Sequence, residues 1–297
     1  MLPPADLHPP LEPRDVLFQP QASKAAFMRT RLSLPTGVEL DVLQSGDPTG
    51  VPLVLLHGLS DSLLSMRPMM EHLPKGMRVI AITQRGHGDS SKPAGPYTTD
   101  AFVGDAVAAM DRLGVRRAVV FGHSMGSIVA QRLAMGHPER VAGLVLEGAF
   151  PGLKGNPAVE AFYDEAIKDL CDPIDPAFAR AFQESNIARP LAPELLDLVT
   201  AESCKLPAHA WRAIFEDLMA DDLGPDLPRI QAPTLLLWGD QDGFVTRADQ
   251  DRLLAGIRGS ALTVFEGTGH DPHWEEPARA AELVAVFIQR HIAPAVA

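Results

Sequence analysis

Short, near-continuous apolar runs punctuate the chain at Pro52–His57, Arg78–Thr83, Ala118–Gly122, Val141–Glu147, Thr234–Gly239 and Leu262–Glu266. Runs of this length without polar alternation are what strands look like when a parallel sheet is covered on both faces. Helical spacing separates most of them. The clearest case opens at Pro277, sets Ala280, Leu283, Val284, Phe287 and Ile288 on one face, and carries Arg290 and His291 in its last turn, where cations meet the negative end of the helix dipole. Strands alternating with helices predict right-handed crossovers and a doubly wound, mostly parallel α/β sheet. Ahead of it, Arg29–Leu34 and Val38–Gln44 alternate around Pro35-Thr36-Gly37, the pattern of an antiparallel hairpin.

The alternation breaks between about Pro151 and Arg229, where apolar residues recur at helical spacing, prolines interrupt and no strand-like run occurs. This predicts a helical cap over residues 151–229, inserted after the sixth strand of a core formed by 29–150 and 230–297. Its natural place is over the carboxyl ends of the strands. Residues 1–28 are proline-rich and lack alternating apolar positions, which predicts an extended N-terminal arm.

Composition narrows the partners. A chain of 297 residues, 46% hydrophobic and 22% charged, suits one large globular domain with an insertion. Its 26 Lys and Arg against 38 Asp and Glu give a net charge of −12, so the average surface repels nucleic acid and anionic lipid. Cys171 and Cys204 could form at most one bridge, in keeping with a reducing compartment. The N-terminus has neither the basic nor the apolar region of a signal peptide, and no apolar stretch approaches the ~18 residues of a membrane helix. The expectation is a cytoplasmic protein with no nucleic-acid or membrane partner.

The chemistry concentrates in Val119-Val120-Phe121-Gly122-His123-Ser124-Met125-Gly126, where a strand stops at a glycine and a helix over Ser127–Met135 follows. This is G-x-S-x-G in strand-turn-helix context. A serine hydroxyl is a poor nucleophile until it is lifted into the open and paired with a base, and a tight strand-to-helix turn lifts it. The helix start behind Ser124 aims backbone N–H groups at any negative charge forming beside it.

With this elbow, residues 29 to 297 resemble the α/β-hydrolase family, most closely its esterase-like members with a helical cap. Leu56-His57-Gly58-Leu59 is similar to the family's oxyanion turn, and Arg85-Gly86-His87-Gly88-Asp89-Ser90 to its R-G-x-G-x-S turn. Thr83 departs from the pattern, since many members carry aspartate there, and this weakens a local ion pair with Arg85. The resemblance implies a triad in the order serine, acid, histidine. His270 of Gly267-Thr268-Gly269-His270 supplies the base, and Asp242 of Gly239-Asp240-Gln241-Asp242 matches the acid. Glu147, ending the sixth strand, is the rival acid, because some lactone-cleaving relatives place theirs at that point. The N–H groups of Leu59 and Met125 would form the oxyanion hole.

The implied activity is hydrolysis of esters or lactones through an acyl-enzyme, with no cofactor. A zinc site at His270 and His273 lacks further ligands at usable spacing, so no metal is expected. Large apolar residues of the predicted cap and its entry, among them Phe150, Phe162, Trp211 and Phe215, are the candidate substrate contacts; they favour a small apolar ester or lactone. Cleavage of C–C bonds in dienoates, amide hydrolysis and perhydrolysis could run on the same constellation, and a slow or non-catalytic ligand receptor is the reading from another class. Dehalogenases and epoxide hydrolases of this family need a carboxylate where Ser124 stands.

Overall fold

The computed structural model describes residues 26–292. The arm expected over 1–28 falls almost wholly outside them, and its predicted end is too late: Phe27 and Met28 pair with Ser45 and Gln44 and so open the first strand.

The strands are β1 (Phe27–Ser33), β2 (Glu39–Gly46), β3 (Pro52–Leu56), β4 (Arg78–Thr83), β5 (Ala118–His123), β6 (Val141–Glu147), β7 (Thr234–Gly239) and β8 (Ala261–Phe265). They form one eight-stranded sheet in the order β1-β2-β4-β3-β5-β6-β7-β8. The hairpin pairs antiparallel, β2 runs antiparallel to β4, and the pairings from β4 through β8 are parallel. The helices are α1 (Arg67–Met70), α2 (Thr99–Arg112), α3 (Met125–Gly136), α4 (Pro157–Phe162), α5 (Pro176–Glu184), α6 (Pro193–Ser203), α7 (Ala208–Ala220), α8 (Arg247–Gly256), α9 (Pro272–Glu275) and α10 (Pro277–His291). None among the described residues is long and apolar enough to cross a membrane.

The apolar runs lack alternation because both sheet faces are covered. Val54, Leu56 and Val120 pack on one side with Phe102, Met110, Ile128 and Leu133 of α2 and α3. Leu53, Leu55, Val119 and Phe121 pack on the other with Met69 and Met70 of α1 and Val284 and Phe287 of α10. Successive side chains thus enter opposite cores, and each fully buried one contributes roughly 1.5–3 kcal/mol.

Between β6 and β7 lies the helical insert, α4 to α7. Proline opens α4, α5 and α6, with Asn156 and Asp175 accepting from the exposed amides of Ala158 and Ala177, so short helices start where the chain places them. The insert has its own aromatic core: Trp211 is fully buried, edge-on to Phe182 at 5.0 Å and to Phe178 at 5.5 Å. It is tied to the sheet domain by Asp217, which accepts from Thr99 N and Oγ1 at 2.7 and 2.8 Å, and by the Arg132–Asp221 ion pair.

From β3 the chain crosses to β4 on one side and then returns to β5 on the other. Loops leaving β3 and β5 therefore part in opposite directions and open a crevice at their carboxyl ends. The turn after Leu56 and the elbow at Ser124 flank that crevice.

Candidate active site

Ser124 joins β5 to α3 with φ 51° and ψ −118°, a conformation that side chains other than glycine rarely adopt. It persists because its neighbours leave no alternative. Ser124 N donates to Glu147 O at 3.0 Å and Ser124 O accepts from Ser127 N at 2.8 Å. Gly126 is pressed onto the end of β3, where an added Cβ would meet Leu56 O at 2.3 Å and His57 O at 2.6 Å. Both opposing atoms are backbone, so nothing flexible can yield. We expect Gly126→Ala to lower unfolding stability by about 3 kcal/mol or more, read from urea denaturation; a loss under about 1 kcal/mol would mean that the turn is looser than this packing implies.

His270 stands in the loop between β8 and α9, its Nδ1 2.7 Å from Asp242 Oδ2. Asp242 lies just past β7 and is itself fixed, because its Oδ1 accepts from the amides of Phe244 and Val245 at 2.9 and 2.8 Å. An ionised Asp242 keeps the shared proton on Nδ1 and leaves the Nε2 lone pair free to act as a base. Burial works against the charged imidazole, yet the charge and hydrogen bond of Asp242 outweigh it, and the His270 pKa stands above its ordinary 6.5.

Glu147 does not meet His270. Its Oε1 lies 2.5 Å from His273 Nδ1, and both side chains are fully buried. The loop and the start of α9 thus bring two imidazoles to two carboxylates, His270 to Asp242 and His273 to Glu147.

Ser124, Met125, Leu59 and His270 open onto one cavity of about 310 Å³, whose remaining wall comes largely from the insert. Of the aromatic candidates, Phe150, Phe162 and Phe215 line it. Trp211 does not: it sits one turn before Phe215 on α7, inside the insert's aromatic core, with its ring stacked at 6.4 Å on Phe215.

The insert also grips the histidine loop. Asn186 O accepts from His270 N at 2.6 Å, and Glu275 accepts from the amides of Ala188, Arg189 and Gly269. Arg189 returns the contact, donating to the carbonyls of Glu266 and Gly267 and to Glu276.

Residues 53–283 match the model of the Alpha/beta hydrolase family. The chain belongs to that family. As a member, it is 28% identical over 254 residues to 3-oxoadipate enol-lactonase 2 of Acinetobacter baylyi, covering 85% of this chain and 94% of that protein. It is 30% identical over 278 residues to 2-hydroxymuconate semialdehyde hydrolase of a Pseudomonas species, covering 89% and 95%. An esterase from Rhodococcus sp. ECU1013 superposes with a TM-score of 0.78 at 26% identity, over 89% of this chain and 99% of that one.

Within this alpha/beta hydrolase, the departure at Thr83 has a structural answer. Arg85 takes its partner from α2 instead, in a buried two-pronged pair with Asp105 at 2.6 and 2.7 Å, while Thr83 Oγ1 accepts from Leu63 N. His57 shapes its turn as a neutral ring, accepting from Gln84 N at 2.9 Å through Nε2. Among the described residues, His123, Asp271 and His273 form the one group whose ligand atoms could reach a common cation, all within 4.8 Å of one another and all buried. Among the lining residues that escaped the sequence reading of this hydrolase are the polar Asp61, Gln183 and Asp271, and Phe244. Asp61 and Asp271 could have been noticed as acids directly beside the oxyanion turn and the histidine.

Proposed function

We propose that the chain is a serine hydrolase of uncharged carboxylic esters or lactones, acting through an acyl-enzyme on Ser124. The observation that carries this reading is the Asp242–His270 pair, held at 2.7 Å, whose His270 opens onto the same cavity as a strained elbow serine. Ser124 Oγ attacks the carbonyl carbon as His270 Nε2 takes the hydroxyl proton. Asp242 holds the ring's tautomer and stabilises the imidazolium without taking a proton. The amides of Met125, at the positive end of α3, and of Leu59, in the turn after β3, stabilise the oxyanion. The proton returns to the leaving alcohol, and water, activated by the same ring, releases the acid.

Aromatic and aliphatic side chains of the insert supply most of the far wall, which suits an apolar acyl or lactone ring of medium size. Hydrolysis of a C–C bond is the second reading, favoured by the likeness to the hydroxymuconate semialdehyde hydrolase. The test is a fluorophosphonate probe with peptide mapping, together with pre-steady-state hydrolysis of p-nitrophenyl esters. We expect the label on Ser124 and a burst of about one nitrophenolate per active site. Label on another residue, or turnover without any burst on substrates whose deacylation is slow, would overturn the acyl-enzyme.

A further inference from the structure

The cavity wall beside the triad carries two carboxyls that the triad does not use. Asp61 stands in the turn after β3, Asp271 directly follows His270, and both line the cavity with His123 between them. They are 2% and 1% exposed. Asp61 Oδ1 accepts from Gln183 Nε2 of α5 at 3.2 Å, while its Oδ2 lies 4.0 Å from His123 Nδ1, a nitrogen without a hydrogen-bond partner. Asp271 Oδ1 lies 3.1 Å from His123 Nε2, but that nitrogen meets the carbonyl oxygen of His270 at 3.2 Å. Neither carboxyl oxygen of Asp271 completes a hydrogen bond.

Buried polar atoms are almost always paired, so unpaired carboxyl oxygens in the wall of a cavity call for an explanation. The lining contains neither lysine nor arginine, and its basic side chains are His123 and His270 alone. Burial pushes Asp61 up to about 7, with Glu202 adding to the rise against the pull of Gln183 and His270. Burial likewise holds Asp271 well above the carboxylate range, helped by Asp61, Glu147, Asp242 and Glu275. An entering ammonium would return both to the ionised form, whereas an entering carboxylate would push them higher still.

We propose that Asp61 and Asp271 form an acidic subsite that receives a hydrogen-bond-donating group of the substrate, an ammonium above all, and that the enzyme turns away esters or lactones ending in a carboxylate. This rests on the reading of Ser124 as nucleophile.

Three p-nitrophenyl esters of matched length test it: hexanoate, 6-aminohexanoate and the adipate monoester. In the wild type, kcat/KM for the ammonium ester should exceed that for the carboxylate ester by about tenfold or more, equivalent to ~1.4 kcal/mol or more. Asp61→Asn or Asp271→Asn, each normalised to its own hexanoate rate, should narrow the ratio to within about threefold. Calorimetric titration of the wild type with hexylammonium and with hexanoate needs neither turnover nor a folded variant, and hexylammonium should bind tighter. Parity of the two ions in the titration, or of the two charged esters in turnover, overturns the subsite. So does a ratio unmoved by both substitutions in folded protein. Failure of fluorophosphonate to label Ser124, with hexylammonium still preferred, would instead count against the nucleophile.

Discussion

Ser124→Ala should leave a folded protein with almost no ester turnover, kcat falling on the order of 10⁴- to 10⁶-fold, because nucleophile and base act as one unit. The Ser124 side chain caps no helix amide, so its removal takes away no cap. Alanine also inherits the same backbone position, with Gly122 and Gly126 still setting the turn. The melting temperature should therefore stay within a few degrees of the wild type. What is lost is the covalent path, and the residual rate reports the oxyanion amides and substrate binding alone. Steady-state kinetics beside a thermal melt decide it. Retention of more than about a tenth of wild-type kcat in a folded variant would sink the serine mechanism.

Asp242→Asn should be the next most damaging change, costing about 10³- to 10⁴-fold in kcat. Asparagine can keep an oxygen toward the amides of Phe244 and Val245, but it then turns an NH₂ toward His270 Nδ1, which favours the tautomer with the proton on Nε2 and blocks the base. The pH profile carries a second signature. The base works as neutral imidazole and the His270 pKa is raised, so wild-type kcat/KM should fall as pH drops through a value above 6.5. Removal of the Asp242 charge should move that acidic limb downward. Glu147→Gln meets His273 instead and should leave kcat within about tenfold, while costing stability of roughly 1–3 kcal/mol for a disturbed buried pair. The opposite ranking would place the orienting acid on β6.

The sheet was legible because apolar runs of strand length, too short for helices, recur between helical stretches, and β4, β6 and β7 occupy the expected stretches. The elbow was legible because glycines must flank a serine turned this tightly. The choice between Asp242 and Glu147 was not, for a physical reason. Both acids end neighbouring strands, and His270 and His273 are only three residues apart. Which acid meets which ring depends on the course of the loop into α9, set by long-range contacts from the insert. Trp211 illustrates the same limit: Trp211 and Phe215 lie four residues apart on α7, and the sequence places both on one face. Only the packing of α7 against α5 decides which of them reaches the cavity and which fills the insert's own core.

The grip of residues 186–189 on residues 266–276 makes the insert a structural partner of His270. Asn186 O holds the amide of His270, and Glu275 and Arg189 lace the two loops together. An insert between two strands invites treatment as an exchangeable module, free to be swapped between relatives. This one is not free. A chimaera that imports another insert must import the matching histidine loop with it, and divergence in one loop constrains the sequence open to the other.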